Sequence, residues 1–420
     1  MAIGGQIVIT RIELDNGVRI LAENIPTVRS VSIGVWIGTG SRFESQEENG
    51  VSHFLEHMFF KGTKTRSAAE IAESFDRIGG QVNAFTSKEY TCYYAKVLDD
   101  HAGLAVDVLS DMFFNSVFDK SELKKEKNVV YEEIKMVDDT PDDIVHDLLS
   151  EASYGKHALG YPILGTVDTL QTFDEDTLRN YMAKFYTGDH VVISIAGNIT
   201  DEVIEQLKES FSKVEPTTYQ HPEDKPTFLS NTIVRKKDTE QAHLCLGYPG
   251  LSIGEKNVYA LVLLNNLLGG SMSSRLFQEI REKRGLCYSV FSYHSSYQDS
   301  GMLTIYAATA HSQLDDLTKA LLETTAYLAD NGMTEKELNN GKEQLKGSLM
   351  LSLESTNSRM SRNGKNELLL KKHRSLDDIV DEIDKVTLSD VNKLAASILK
   401  EKPSVSLINT TGVLPEVFAK

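Results

Sequence analysis

The chain reads as two halves that repeat one plan on either side of a proline-bearing break, and this duplication limits its fold more than any other feature. From residue 214 to 226 the run Val-Glu-Pro-Thr-Thr-Tyr-Gln-His-Pro-Glu-Asp-Lys-Pro loses apolar periodicity and holds three of the nine prolines, as an interdomain linker does. Each half opens on an alternating strand, Ser30 to Ile37 in the first and Ala242 to Tyr248 in the second. Each then passes through a helix ending at glycine and later reaches another strand and a pair of helices. A shift of 207 superposes Gly62 on Gly269, and a shift of 215 superposes Asp119 on Thr334 and Glu122 on Glu337. At 420 residues the chain exceeds one ordinary core. The expected organisation is a domain over 1–213, a linker over 214–226 and a second domain over 227–420.

Within the first half, His53, Glu56 and His57 stand in Val51-Ser-His-Phe-Leu-Glu-His-Met-Phe-Phe60. Residues four apart stack on one helix face, so both imidazoles can grip one metal while Glu56 projects beside them. The order H-x-x-E-H reverses the commoner H-E-x-x-H and is the inverzincin pattern. A lone buried histidine is more often a hydrogen-bonded core residue than a ligand. The setting favours the ligand reading, because Gly50 and Gly62 bracket apolar Val51, Phe54, Leu55, Met58 and Phe59. Two imidazoles and a carboxylate on such a segment are costly to desolvate without a role.

A catalytic zinc site takes three protein ligands and leaves a fourth position to water. The best candidate for the third is Glu133, in a helix expected over Phe118–Met136 with Asp119 as N-cap and Glu122 at the third position. Glu126 lies seven residues earlier on the same face, whereas Glu132 points about 100° away. Periodicity alone leaves the choice between Glu132 and Glu133 open. Under the two shifts, His53, Glu56 and His57 fall on Ala260, Leu263 and Leu264, while Glu126 and Glu133 fall on Gly341 and Ser348. The second half keeps the plan and lacks the metal ligands.

These motifs resemble the pitrilysin or insulinase family of zinc metallopeptidases, and most closely its mitochondrial processing peptidase-like branch with small bacterial members. In that family H-x-x-E-H is followed about 76 residues later by the glutamate ligand, and Glu133 falls at that distance from His57. Gly79-Gly-Gln-Val-Asn-Ala84 matches the family's active-site edge strand, and Arg281 with Tyr288 matches an Arg and a Tyr seven apart in the second half. The resemblance implies an α+β fold of two duplicated domains, each an antiparallel-rich sheet with helices packed on one face. It implies Zn²⁺ held by His53, His57 and Glu133, with Glu56 moving the proton of the attacking water. Glu126 would orient a ligand. Asn83, Ala84 and Phe85 would pair with an extended peptide by strand addition. Arg281 and Tyr288 would contact substrate backbone, and Asp143 and Asp147 would recognise a basic side chain. Long family members join four such domains in one chain, so two domains imply pairing, here as a homodimer.

Composition narrows the alternatives. A formal net charge of −17 without a basic cluster disfavours nucleic acid, whereas the acidic run Val137-Asp-Asp-Thr-Pro-Asp-Asp-Ile-Val-His-Asp147 suits cationic peptides. No stretch approaches the ~20 apolar residues of a membrane span, and the amino terminus lacks a secretory pattern. Three widely spaced cysteines, Cys92, Cys245 and Cys287, argue against a disulfide framework and fit a reducing cytoplasm. The expected function is therefore a zinc-dependent endopeptidase for unfolded or short, basic peptides. The alternative is a non-catalytic scaffold or peptide-binding subunit of the same fold.

Overall fold

The computed structural model describes residues 9–221 and 223–418. Residues 1–8 of the amino-terminal stretch and Pro222 of the expected linker lie outside the described residues. The chain forms two compact units, each with one sheet. The first comprises residues 1–134, 162–223 and 351–373, and the second 135–161, 224–350 and 374–420.

In the first unit the strands are β1 (Ile9–Glu13), β2 (Arg19–Asn24), β3 (Ser30–Ile37), β4 (Gln81–Thr86), β5 (Thr91–Leu98) and β6 (Val191–Gly197), in the order β1-β2-β6-β3-β5-β4. Only β2 and β6 run parallel. The second unit holds β7 (Thr232–Lys236), β8 (Ala242–Pro249), β9 (Ser289–Ser296), β10 (Gly301–Thr309) and β11 (Ser404–Asn409), in the order β7-β11-β8-β10-β9, with only β7 and β11 parallel. Without the outer β1 the two topologies are the same. The duplication extends to helix starts: α1 (Val51–Met58) and the helix Val258–Gly269 begin 207 residues apart, and α4 (Lys120–Asp139) and the helix Glu335–Ser352 begin 215 apart. Helices α2 (Ala68–Asp76) and α3 (Ala102–Asn115) come between α1 and α4 in sequence.

Alternation along β3 explains how the first sheet is covered. Val31, Ile33, Val35 and Ile37 face the main core with α1 and α3, while Trp36 lies in a second apolar cluster with Cys92, Val192, Ala196 and Met360. Met360 belongs to the helix Thr356–Leu370. A Cβ on Gly34 would lie 2.4 Å from Met360 Sδ, so glycine lets this helix seat directly on the strand. Ser194 Oγ also donates to the Met360 carbonyl at 2.8 Å. On the second sheet the counterpart is α5 (Pro141–Tyr154), whose Val145, Leu148 and Leu149 pack on Cys245, Met302 and Ile408. Gly247 there takes the place of Gly34, with Leu149 against it.

The chain has thus exchanged a helix between its units: α5 lies inside the metal-motif half in sequence but completes the second unit, and Thr356–Leu370, inside the other half, completes the first. The passage near residues 223 and 224 falls inside the expected 214–226 linker, yet neither unit is a contiguous half. The first unit ties its borrowed helix down with charge. Arg359 and Asn363 each reach Glu23 at 2.5 Å, and the fully buried Glu367 pairs with Arg11 at 3.0 Å, Arg19 at 3.7 Å and His373. All three cysteines are unpaired. Among the described residues no helix is long and apolar enough to cross a membrane.

Candidate metal centre

Helix α1 begins after Gly50, whose φ of 97° is left-handed and whose missing Cβ would collide with Leu164 and Gly165 backbone. The helix start is anchored by Glu44, which sequence reasoning missed. Its buried carboxylate accepts from the Gly50 N–H at 2.7 Å, the Ser52 N–H at 2.9 Å and Asn49 Nδ2 at 3.1 Å. Burial pushes its pKa up while those donors pull it down, with burial prevailing. Val51, Phe54, Leu55 and Met58 are buried in the main core, which turns His53, Glu56 and His57 together along the other side of the helix.

Among the described residues, His53, His57 and Glu133 are brought together as a group able to hold a metal ion, one ligand atom from each lying within 4.8 Å of the others. Glu133 Oε2 lies 3.8 Å from His53 Nε2 and 3.5 Å from His57 Nε2. These separations are long for hydrogen bonds and close to the edge of a tetrahedron, about 3.4 Å for the bond lengths of zinc to nitrogen and oxygen. One-third-exposed Glu133, rather than exposed Glu132, turns toward the histidines. Asp119 caps α4 through Ser121 and Glu122 N–H, at 2.8 and 3.2 Å, so the expected helix start stands. Glu122 itself engages Lys125.

Behind the cluster, His57 Nδ1 donates to Glu126 Oε1 at 2.8 Å, and the other Glu126 oxygen pairs with Lys61 Nζ at 2.7 Å. A carboxylate only accepts, so Nδ1 carries the proton and the Nε2 lone pair is left toward Glu133. Burial would raise the Glu126 pKa, but the His57 and Lys61 donors win and hold it below the usual carboxylate range. Burial likewise opposes protonation of His57, yet Glu126 raises its pKa above the ordinary value. His53 is the opposite case: burial, then the adjacent His57, pushes it down to about 3, so it stays neutral. Its Nδ1 is buried without a hydrogen-bond partner. Two imidazoles, that of His57 backed by a carboxylate, and the Glu133 carboxylate fit a divalent zinc ion.

Glu56 extends from the same helix, and Thr86 Oγ1 donates to its Oε2 at 2.5 Å. Burial raises the Glu56 pKa against the lowering effect of Thr86 and His57. Thr86 ends β4, the outer strand of its sheet. The bond from Ser87 N–H to the Tyr90 carbonyl fixes the ladder phase. By alternation Phe85 and Asn83 bond to β5, whereas Thr86, Ala84 and Val82 direct N–H and C=O to the open edge. Asn83 Oδ1 accepts from the Ala84 N–H at 2.8 Å. The Phe85 ring turns to the opposite face, packing on Trp36, Tyr90 and Tyr94.

The remaining expected residues belong to the second unit. Arg281 sits in a π-helical turn, Phe277–Lys283, with its guanidinium 4.3 Å from the Tyr288 ring centroid and 4.7 Å from that of Phe277. Tyr288 is 77% exposed, unusual for so large a ring. Asp143 is exposed in the first turn of α5, and Asp147 lies one turn on. Between them His146 Nδ1 meets Tyr293 Oη at 2.8 Å.

Comparison with known proteins gives consistent matches across the chain. Residues 19–167 match a family described as Insulinase (Peptidase family M16), and residues 172–345 match Peptidase M16 inactive domain. The chain is 64% identical to the uncharacterized zinc protease YmxG of Bacillus subtilis, covering 97% of this chain and 100% of that protein. It is 41% identical to an uncharacterized zinc protease of Streptomyces coelicolor, covering 95% and 89%. In fold it is similar to a protease from Helicobacter pylori, with TM-score 0.90, 22% identity and coverage of 96% and 99%. It is also similar to a peptidase M16 inactive domain from Pseudomonas fluorescens, with TM-score 0.88, 21% identity and coverage of 97% and 99%.

Proposed function

The chain belongs to the insulinase family, peptidase family M16, and we propose that it is a zinc endopeptidase cutting unfolded or short, basic peptides bound along β4. Zinc is the metal named for its relatives, and His53, His57 and Glu133 are the residues that would hold it. When bound, zinc supplies Lewis acidity that acidifies water and polarises the scissile carbonyl. Glu56 takes the proton of the attacking water on one carboxylate oxygen and returns it to the leaving amine nitrogen. Glu126 orients His57 by the Nδ1 hydrogen bond.

The peptide adds to the edge of β4, where the backbone groups of Val82, Ala84 and Thr86 are free of the sheet ladder, with Asn83 at hand to bond it. This mode requires an extended substrate, so folded proteins are poor ones. In the same reading Arg281 and Tyr288 contact peptide backbone, Asp143 and Asp147 attract a basic side chain, and Phe85 acts through its backbone position. By family resemblance the enzyme works as a homodimer, and its three unpaired cysteines fit a reducing cytoplasm.

The observation that carries the proposal is the convergence of three candidate ligand atoms beside Glu56, a hydroxyl-anchored glutamate next to His57 on the same helix. Mass spectrometry of products from a library of unstructured peptides tests it. Internal cuts that vanish with chelator and return with zinc are expected, with arginine enriched near the cut. One zinc per chain with no product would instead favour the peptide-binding or scaffold alternative.

A further inference from the structure

Thr86 meets two parts of the site at once. Its side chain is on the α1 face of β4 and gives its hydroxyl proton to Glu56 Oε2 at 2.5 Å. Its backbone, in the pair with Thr91, is out of phase with the ladder bonds and faces the open edge. The terminal torsion of a glutamate is broad and roughly two-fold, so an unanchored carboxylate has no fixed plane. Thr86 removes that freedom and engages one oxygen, leaving Oε1 as the site for an incoming proton. No other side-chain donor to Glu56 is seen among the described contacts.

We infer that Thr86 is a positioning residue for the reaction: its hydroxyl fixes the Glu56 carboxylate while its backbone takes part in docking the peptide, so the register of the bound strand and the aim of the base are set by one residue. The inference rests on the peptidase reading above and adds to it a link between the binding edge and proton transfer. No contact to metal is involved. Valine keeps a methyl of threonine and loses the hydroxyl, whereas serine keeps the hydroxyl and loses the methyl, and this makes the part of the hydroxyl separable.

The test compares Thr86→Val and Thr86→Ser with the unaltered enzyme on an unstructured fluorogenic peptide. Zinc content and the affinity of the metal-free proteins for a labelled peptide are measured alongside. Misaiming a catalytic group by about 1 Å costs up to about 100-fold, so Thr86→Val should lower kcat by roughly 10- to 100-fold. KM, zinc content and peptide affinity should stay within about twofold of the unaltered enzyme, since strand addition uses backbone groups that the substitution leaves in place. Thr86→Ser should recover most of kcat. An unchanged kcat in Thr86→Val overturns the inference, as does a Thr86→Ser enzyme as slow as Thr86→Val, which would show that the hydroxyl does not set the position of Glu56. Failure of the unaltered, zinc-loaded protein to cut any peptide would overturn the peptidase reading itself, a result distinct from an active enzyme indifferent to Thr86.

Discussion

His57 Nδ1 donates to Glu126 at 2.8 Å, and Lys61 holds the other oxygen of the same carboxylate at 2.7 Å. The ring is thereby oriented from behind, with its Nε2 on the side of Glu133. Replacing Glu126 by Gln keeps the shape but removes the charge and leaves Lys61 without its partner. Groups that back a histidine ligand are typically worth about 10- to 100-fold in metal affinity. Glu126→Gln should therefore release zinc to a chelator at about 10- to 100-fold lower chelator concentration, read by a colorimetric competition titration. Unchanged retention would mean that His57 is held by helix packing alone.

Glu56 separates metal binding from turnover. Glu56→Gln should retain one zinc per chain and bind peptide normally, while kcat falls by at least about 100-fold, the usual contribution of a general base. Elemental analysis and peptide hydrolysis on the same preparation check both halves. Residual hydrolysis within about tenfold of the unaltered enzyme would remove Glu56 from the proton path.

A third prediction concerns pH and lies away from the metal cluster. His221 stacks on Phe43, ring centroids 3.7 Å apart, and donates its Nε2 proton to the Gly38 carbonyl at 2.7 Å. Its Nδ1 is buried without a partner, so burial, with the nearby His190 and Arg42 charges, lowers its pKa from 6.5 to about 4. As pH falls below 6.5 the unfolded chain takes up this proton first. Stability is therefore full above about pH 6.5 and declines toward pH 4, by at most about 3 kcal/mol from this group. Urea unfolding of metal-free protein across that window should show a shallower pH slope for His221→Phe. Identical slopes would show that His221 titrates normally in the folded chain.

Charge is the means by which the first unit retains its exchanged helix. Glu367 is fully buried against Arg19, which is 5% exposed. Glu367→Ala strands that arginine, and breaking a buried pair on one side costs about 3–5 kcal/mol. The loss should appear as a lower urea midpoint with little change in zinc affinity, because the pair contacts no residue of the metal cluster. A cost below about 1 kcal/mol, the range of exposed pairs, would show that solvent reaches Arg19.

Much of this was legible beforehand, for reasons that are local. The H-x-x-E-H spacing is a property of one helix, and the phase of α4 joins Glu126 to Glu133 whatever surrounds them. The repeat offsets of 207 and 215 reproduce the helix starts because insertions between the halves fall in loops. What stayed hidden depends on residues distant in sequence. Thr86 reads as an ordinary strand threonine until the hairpin brings it to Glu56, and Lys61 reads as a surface charge until α1 and α4 converge. The helix exchange leaves no mark in periodicity, because Val145, Leu148 and Leu149 form the same apolar stripe whichever sheet they cover.

That exchange also has a consequence for synthesis. A nascent chain can pair β2, β3, β5 and β6 once Gly197 has emerged, but the helix that covers Trp36, Val192 and Ala196 ends only at Leu370. At about 5–20 residues per second the sheet waits roughly 10–30 s with an apolar face open to the cell. The metal-bearing unit is among the first parts of the chain to be made and among the last to be finished. A ribosome stalled before residue 356 therefore holds an adhesive intermediate rather than a folded half, and a chaperone would have most to do there.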